Sequence, residues 1–578
     1  MPSLSRRLLF YLSVQCTIAL LFVIVFISAM TTNSPTFAVF AQAQAAPAQR
    51  FIQSSAILTP ALSVAPCSDV IPVFTNKTAT CGYVAVPLDH FSLTDTRTIS
   101  LAVAVYPSTS PTPATDALFI LHGGPASSIL KSPSVLAGVE FLYVFPFLDQ
   151  RDVVIFDQRG TGVSIPSLSC SSEAYSTALI AIGKTQSDQE FIDAQNAAYV
   201  ACRQRLLDAG HTLTKYTSLQ NAADVEIIRQ ALVNGNYIHD PKINLYGASY
   251  GTRLALTILR EWTPNHLSPH QTGDEANVRS VMIEGVYPPE ISGYSRPFAI
   301  TRALKLMFDE CRANPACDQA YPELENVFLD LAEQFRQNPH TYTFTATVDG
   351  VAKSYNGLAG ESNFVDRIVN SMLNLTDVAN VPALIYAIKN GDMSKLEVVP
   401  SATEAIERAT YFSIVCPEDL LRVSEAEYTT MFNVLKSNFP YLVSSAYRSN
   451  ISSPRMQDLC QSWGMPLVST AMRQRVTSAV PTLVIQGNYD INTPPYFGES
   501  ALQGLSRGQY INIPNLAHAG AGAPAVIVPA LKNCPLGLMR SFLTVPTAQV
   551  TDTTCLDTLT VEWTLPAPEE IFLPIIAF

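Results

Sequence analysis

Gly247-Ala248-Ser249-Tyr250-Gly251 reads G-x-S-x-G, directly after the apolar run 243–246 and ahead of a helix-compatible stretch at 252–260. A serine hydroxyl attacks well only beside a base, and a strained strand-to-helix turn that exposes it tolerates only small neighbours. The spacing therefore points to Ser249 as a nucleophile, with amides at the start of the next helix donating to developing negative charge. Partners of such a serine follow it in the order acid, then histidine. Of the eight histidines, His266 and His270 lie in a polar stretch and His340 in a helix-rich one. Only His518 follows a late apolar run, 510–513, and sits in a small-residue loop, Ala517-His518-Ala519-Gly520. Asp490, just past the run 482–485, is the acid that would fix the imidazole tautomer. Glu284 and Glu499 are the alternatives for that role. Upstream, His122-Gly123-Gly124-Pro125 ends another apolar run, and the amides of Gly124 and Tyr250 are the expected oxyanion donors. His122 itself reads as structural. Asp157-Gln158-Arg159-Gly160-Thr161-Gly162 lacks the spacing of a phosphate-binding loop and is assigned to support of the site's floor.

Positioning these residues takes a buried sheet. Apolar runs at 82–86, 99–106, 117–121, 153–156, 243–246, 281–283 and 482–485 are closed by Gly, Asp or Pro and alternate with helical patterns such as 222–232, where Val225, Ile228 and Leu232 recur. That pattern predicts an α/β fold, a mostly parallel sheet with helices on both faces. From 291 to 470 helical patterns dominate, with Leu304, Met307 and Phe308, then Phe328 and Leu329 ahead of Phe335, and strand-like runs are scarce. Sheet runs return at Pro481. The expected organisation is a leader and linker over 1–50, core over 51–290, an inserted helical lid over 291–470 where substrate specificity resides, and the rest of the core over 471–578.

The 578 residues are 48% hydrophobic and carry a formal net charge of -12, with no basic run beyond Arg6-Arg7, which excludes a nucleic-acid surface. Residues 8–30 carry no charge and are long enough to span a bilayer, while Ala-rich sequence at 41–45 offers cleavage sites. Either a signal anchor, which would tether the chain to the membrane, or a long signal peptide sends the body into the secretory pathway or outside the cell. Of eleven cysteines, Cys16 lies in that run; the remaining even number, without C-x-x-C spacing, suits disulfides better than zinc. Sequential pairing gives five bridges, though spacing alone leaves other connectivities open. Asn76, Asn374 and Asn450 open N-x-S/T sequons, acceptors for a glycoprotein. No metal-ligand pattern is present and the chemistry calls for no cofactor.

HGGP at 122–125, DQRGTGVS at 157–164, GASYGT at 247–252 and the segments around Asp490 (GNYDINTP) and His518 (NLAHAG) together resemble the proline iminopeptidase and tripeptidyl aminopeptidase branch of the α/β-hydrolases. Secreted members of that branch look similar in their cysteines as well, at Cys170, at Cys311 and Cys317, and at Cys534 and Cys555. The resemblance implies an exopeptidase that releases short N-terminal peptides or residues through an acyl-enzyme. Two positions depart from it. Ala126 follows HGGP where the family usually has Gly, and Gln220 stands where aminopeptidase members often carry a Glu, which weighs against exopeptidase activity. A carboxylesterase with the same triad is the alternative, acting on small esters rather than peptides; a non-catalytic binding protein is the third. An aminopeptidase needs a carboxylate for the substrate's ammonium. Glu418 and Asp419 are the candidates, with Glu284 in reserve, although an acidic pair there could equally cap a helix.

Overall fold

Val153-Val154-Ile155-Phe156 has no polar side, and such a strand is stable only with both faces covered. The computed structural model, which describes residues 59–71, 79–181, 189–262, 274–348, 351–399, 406–438 and 454–566, covers it in that way. Its strands are β1 (Leu62–Ala65), β2 (Thr80–Pro87), β3 (Thr98–Tyr106), β4 (Leu118–Leu121), β5 (Val153–Phe156), β6 (Ile243–Ala248), β7 (Val278–Glu284), β8 (His340–Val348), β9 (Val351–Ala359), β10 (Thr482–Gly487) and β11 (Gly508–Ile513). One sheet holds nine of them in the order β1-β2-β3-β5-β4-β6-β7-β10-β11. The first four in that order pair antiparallel, and the pairs from β5 to β11 are parallel. The fold class is the α/β-hydrolase one expected, and each apolar run assigned to the sheet overlaps one of these strands.

Adjacent residues on each strand enter opposite cores, as a period of two requires. Val154, Phe156, Phe119, Leu121 and Leu245 belong to one face. Val153, Ile155, Leu118, Ile120 and Tyr246 belong to the other. The helices Ser218–Asn234 and Tyr250–Glu261 pack on the first face, and the former starts at Thr217, whose side chain accepts from Gln220 N–H.

β7 and β10 are sheet neighbours, paired Val281 to Thr482, yet the chain runs a long way between them. The helices Arg296–Ala313, Leu324–Gln337, Glu361–Ser371, Val381–Lys389 and Arg408–Glu418 lie in that stretch. So does the antiparallel pair β8–β9, which corrects the expectation that strands are scarce there. The signal was present: Tyr342, Phe344 and Ala346 alternate with exposed threonines, and Asp349-Gly350 between the strands is a pair that favours tight hairpin turns. Leu304, Met307, Phe308, Phe328 and Phe335 are buried as expected, but Leu329 is on the surface, because it lies off the stripe formed by Leu324, Val327, Phe328 and Leu331. This stretch has its own core, which also takes in Tyr489, Ile491 and Ala517.

All five sequential disulfides form: Cys67–Cys81, Cys170–Cys202, Cys311–Cys317, Cys416–Cys460 and Cys534–Cys555. Residues 8–30 and 41–45, Asn76 and Asn450 lie outside the described residues; Asn374 is exposed. Among the described residues no helix is long and apolar enough to cross a membrane.

Candidate active site

β6 ends at Ala248 and the next helix begins at Tyr250, so Ser249 must turn the chain in one residue; it does so at φ 55° and ψ -123°. A non-glycine residue at positive φ is costly and persists only where its surroundings hold it. The Ser249 N–H donates to the Glu284 carbonyl at 2.9 Å, one such hold. The flanking glycines follow from close approach: a Cβ on Gly251 would lie 1.7 Å from the Leu121 carbonyl oxygen, and one on Gly123 would lie 2.8 Å from Ser249 Cβ.

His518 Nε2 is 2.9 Å from Ser249 Oγ. Its Nδ1 is 3.0 Å and 2.9 Å from the two oxygens of Asp490. With the proton on Nδ1, that nitrogen donates to Asp490 and Nε2 is free to accept from the serine hydroxyl. Asp490 is fully buried, and its position is set by an Asx-type turn: Oδ1 accepts from the N–H of Asn492 at 2.7 Å and of Thr493 at 2.8 Å. The Thr493 hydroxyl donates to Oδ2 at 2.7 Å and lies 3.1 Å from His518 Nδ1. Burial would lower the His518 pKa, but the charge and hydrogen bond of Asp490 outweigh it and hold the imidazole above its ordinary range.

The loop at 122–130 runs beside this set. Gly124 has φ 116°, a region open to glycine alone. Ala126, where the resemblance would have Gly, adopts φ 66° and is fully buried, and its carbonyl accepts from Glu407 N–H at 2.9 Å. Asp157 braces the same loop: Oδ1 accepts from Ile129 N–H at 2.8 Å and Oδ2 from Val163 N–H at 2.8 Å. Burial pushes its pKa up to about 6 against those donors. His122 is half-buried, and desolvation pushes its pKa down to about 4 and leaves it neutral, edge-on against Tyr143. Its Nδ1 has no hydrogen-bond partner among the described residues.

The acids expected to anchor substrate are otherwise engaged. Glu418 is 6% exposed, and its two oxygens accept from Ser218 N–H at 2.8 Å and Ser218 Oγ at 2.6 Å. It therefore caps the helix Ser218–Asn234, not one starting near Leu420. Asp419 is fully buried and accepts from the Tyr287 hydroxyl and, at 2.9 Å, from Gly293 N–H. Glu284 is 1% exposed with protein donors on both oxygens. Gln220 bonds Asp89 and the His90 amide, away from Ser249. Glu499 lies on the helix Pro495–Leu502 and does not contact His518. Thr493 was missed by sequence reasoning, although the Asp-x-x-Thr spacing of the Asx turn could have found it. Among the described residues no cluster of His, Cys, Asp and Glu could hold a metal ion.

Residues 116–268 match the model of the alpha/beta hydrolase fold, which agrees with the strand order and the elbow: the chain has the α/β-hydrolase fold. Residues 445–555 match the model of the TAP-like protein family. Serine protease Hip1 of Mycobacterium bovis and of Mycobacterium tuberculosis is similar, 26% identical over 253 residues that make up 41% of this chain and 42% of the relative. The match thus spans about two fifths of the relatives' own length. Among solved structures, a thermophilic esterase from Thermogutta terrifontis aligns at 13% identity over 80% of this chain and 99% of its own, with a TM-score of 0.29, too low to carry an argument.

Proposed function

We propose that the chain is a secreted serine hydrolase acting through an acyl-enzyme, with Ser249 as nucleophile, His518 as general base and acid, and Asp490 as the group that orients His518. The observation that carries this is the relay of 2.9 Å contacts from Ser249 Oγ through His518 to Asp490, with the serine on a strained turn. In the first half-reaction Ser249 Oγ bonds to the substrate carbonyl carbon while its proton passes to His518 Nε2. The oxyanion forms against the amides of Gly124 and Tyr250. Collapse breaks the bond to the leaving amine or alcohol, which takes the proton from His518, and a water then repeats the path to free the acid. The five disulfides support an oxidising compartment.

Peptides are the proposed substrates, cut near a free N-terminus, with the 291–470 stretch as the lid that sets preference. The likeness to Serine protease Hip1 and to TAP-like proteins supports peptides. One observation favours a second reading, an esterase: both oxygens of Glu418 and of Glu284 accept from protein donors, and Asp419 accepts on Oδ2 while its Oδ1 lies 3.7 Å from Arg422. Turnover of a short peptide amide with a free N-terminus, of its acetylated twin and of a p-nitrophenyl ester separates the two. Cleavage lost on acetylation supports the exopeptidase; equal turnover of both peptides, or activity on the ester alone, leaves the esterase standing.

A further inference from the structure

We propose that Glu284 is a positioning residue, a buried carboxylate that ties the loop carrying His518 to the strand beside the nucleophile. The inference rests on the serine-hydrolase reading above and adds to it a role for a residue outside the triad.

Glu284 ends β7, opposite Ala248 in the register of β6, and so lies one step from Ser249. Its main chain and side chain face different halves of the site. The carbonyl accepts from Ser249 N–H, which helps keep the serine at its positive φ. The side chain turns toward the loop after His518, where Oε1 accepts from Ala521 N–H at 2.6 Å and the nearby Gly520 amide favours the ionised carboxyl. Oε2 accepts from the Tyr246 hydroxyl at 2.5 Å. Backbone amides only donate, so the oxygen facing them must accept. A carboxylate meets that demand without leaving a buried polar atom unpaired. His518 lies shortly before Ala521, so the tether fixes the loop on its C-terminal side, while Ala517 N–H to the Leu375 carbonyl at 2.6 Å fixes it on the other. A base held on both sides keeps its 2.9 Å approach to Ser249 Oγ.

Burial holds the Glu284 carboxyl above the usual carboxylate range against these donors, and once ionised the group adds charge beside His518. The groups facing His518 are Asp490 and Glu284, which raise its pKa, and Arg296 from the helix Arg296–Ala313, which lowers it. Tyr143 and Tyr246 face Glu284 from the other side, and both stay neutral because burial raises their pKa. Removing the Glu284 charge therefore makes His518 easier to deprotonate.

The test follows the rate at which a fluorophosphonate labels Ser249 as a function of pH, a reaction that needs no known substrate. The Ser249 Oγ–phosphorus bond forms, the phosphorus–fluorine bond breaks, fluoride leaves and the serine proton passes to His518. Glu284→Ala removes tether and charge and is expected to lower the high-pH plateau about tenfold or more per folded molecule. Glu284→Gln can still accept from the Ala521 amide and donate to Tyr246. It is expected to restore most of the plateau while its acid limb moves to lower pH, by roughly half a unit. Tyr246→Phe, which keeps the charge, should leave the limb where it is, and it and the Gln variant carry the test should Glu284→Ala fail to fold. An acid limb of Glu284→Gln that stays at the wild-type pH, or a plateau of Glu284→Ala within twofold of wild type, overturns the proposal. Labelling that survives Ser249→Ala instead overturns the underlying site and leaves the two failures distinct.

Discussion

Two regions meet at Ser249, and they contribute in different ways. The sheet delivers chemical groups: Ser249, Asp490 and His518 each follow a strand, β6, β10 and β11, whose alternate residues are locked into two cores. The stretch between β7 and β10 delivers constraint. Its own core takes in Tyr489 and Ile491 on either side of Asp490, and Ala517 just before His518. The carbonyls of Leu373 and Leu375 accept from the amides of His518 and Ala517, Glu407 N–H holds the Ala126 carbonyl, and Arg302 donates to the Asn488 carbonyl. Its acids follow the same rule, since Glu418 and Asp419 serve helix and loop backbone. An acid near a site is thus evidence of chemistry only once its donors have been counted.

The division can be broken most sharply at the nucleophile. Ser249→Ala is expected to lower hydrolysis about 10⁴-fold or more and to abolish fluorophosphonate labelling. The thermal midpoint should hold, because Ala removes one exposed-side hydroxyl and no packing. Substantial residual labelling would mean that the sheet does not supply the nucleophile.

The pH profile sharpens the same side. In the proposed mechanism His518 must be neutral to take the serine proton, and Asp490 holds its pKa above the ordinary 6.5. As pH falls through that raised value the base becomes protonated and kcat/KM should drop about tenfold per unit. The acid limb of the profile is therefore expected above pH 6.5, the ordinary value. A limb well below it would mean that Asp490 is not acting on His518.

How far the sequence carried these points depends on the region. Strands buried on both faces announce themselves, because each needs an unbroken apolar run, and G-x-S-x-G, the Asp490 turn and the His518 loop each sit at the end of one. The intervening stretch was harder. Its helices were legible from Leu304, Met307 and Phe308, but its hairpin was overlooked in spite of Asp349-Gly350. The fate of Glu418 depends on Ser218, 200 positions away, and no local pattern encodes that contact. The same holds for Glu407 and Ala126.

A test of the other side follows at Glu418. Glu418→Ala leaves the first amide of the helix Ser218–Asn234 and the Ser218 hydroxyl without their buried acceptor, which is expected to cost about 1–3 kcal/mol of stability by chemical denaturation. The ratio of activities on free and acetylated peptides should not change. A stable variant that has lost only the free-N-terminus substrate would show that this stretch supplies chemistry after all.

The smallest expected effect is at Ala126. Its φ of 66° strains an L-residue by roughly 1–2 kcal/mol, which glycine would relieve. Glycine also gains freedom in the unfolded chain, worth about 0.5–1 kcal/mol in the opposite direction. The two nearly cancel, so Ala126→Gly should move the stability by no more than about 1 kcal/mol. Activity discriminates better. If the loop owes its shape to outside holds, Glu407 N–H on the Ala126 carbonyl and Asp157 on the amides of Ile129 and Leu130, then glycine inherits the same bonds and kcat/KM should stay within about twofold. A loss of tenfold or more in a variant of unchanged stability would place the loop's rigidity in the backbone limits of Ala126 itself. The sheet-side loop would then supply its own constraint, and the division of labour drawn above would fail at the loop that carries Gly124.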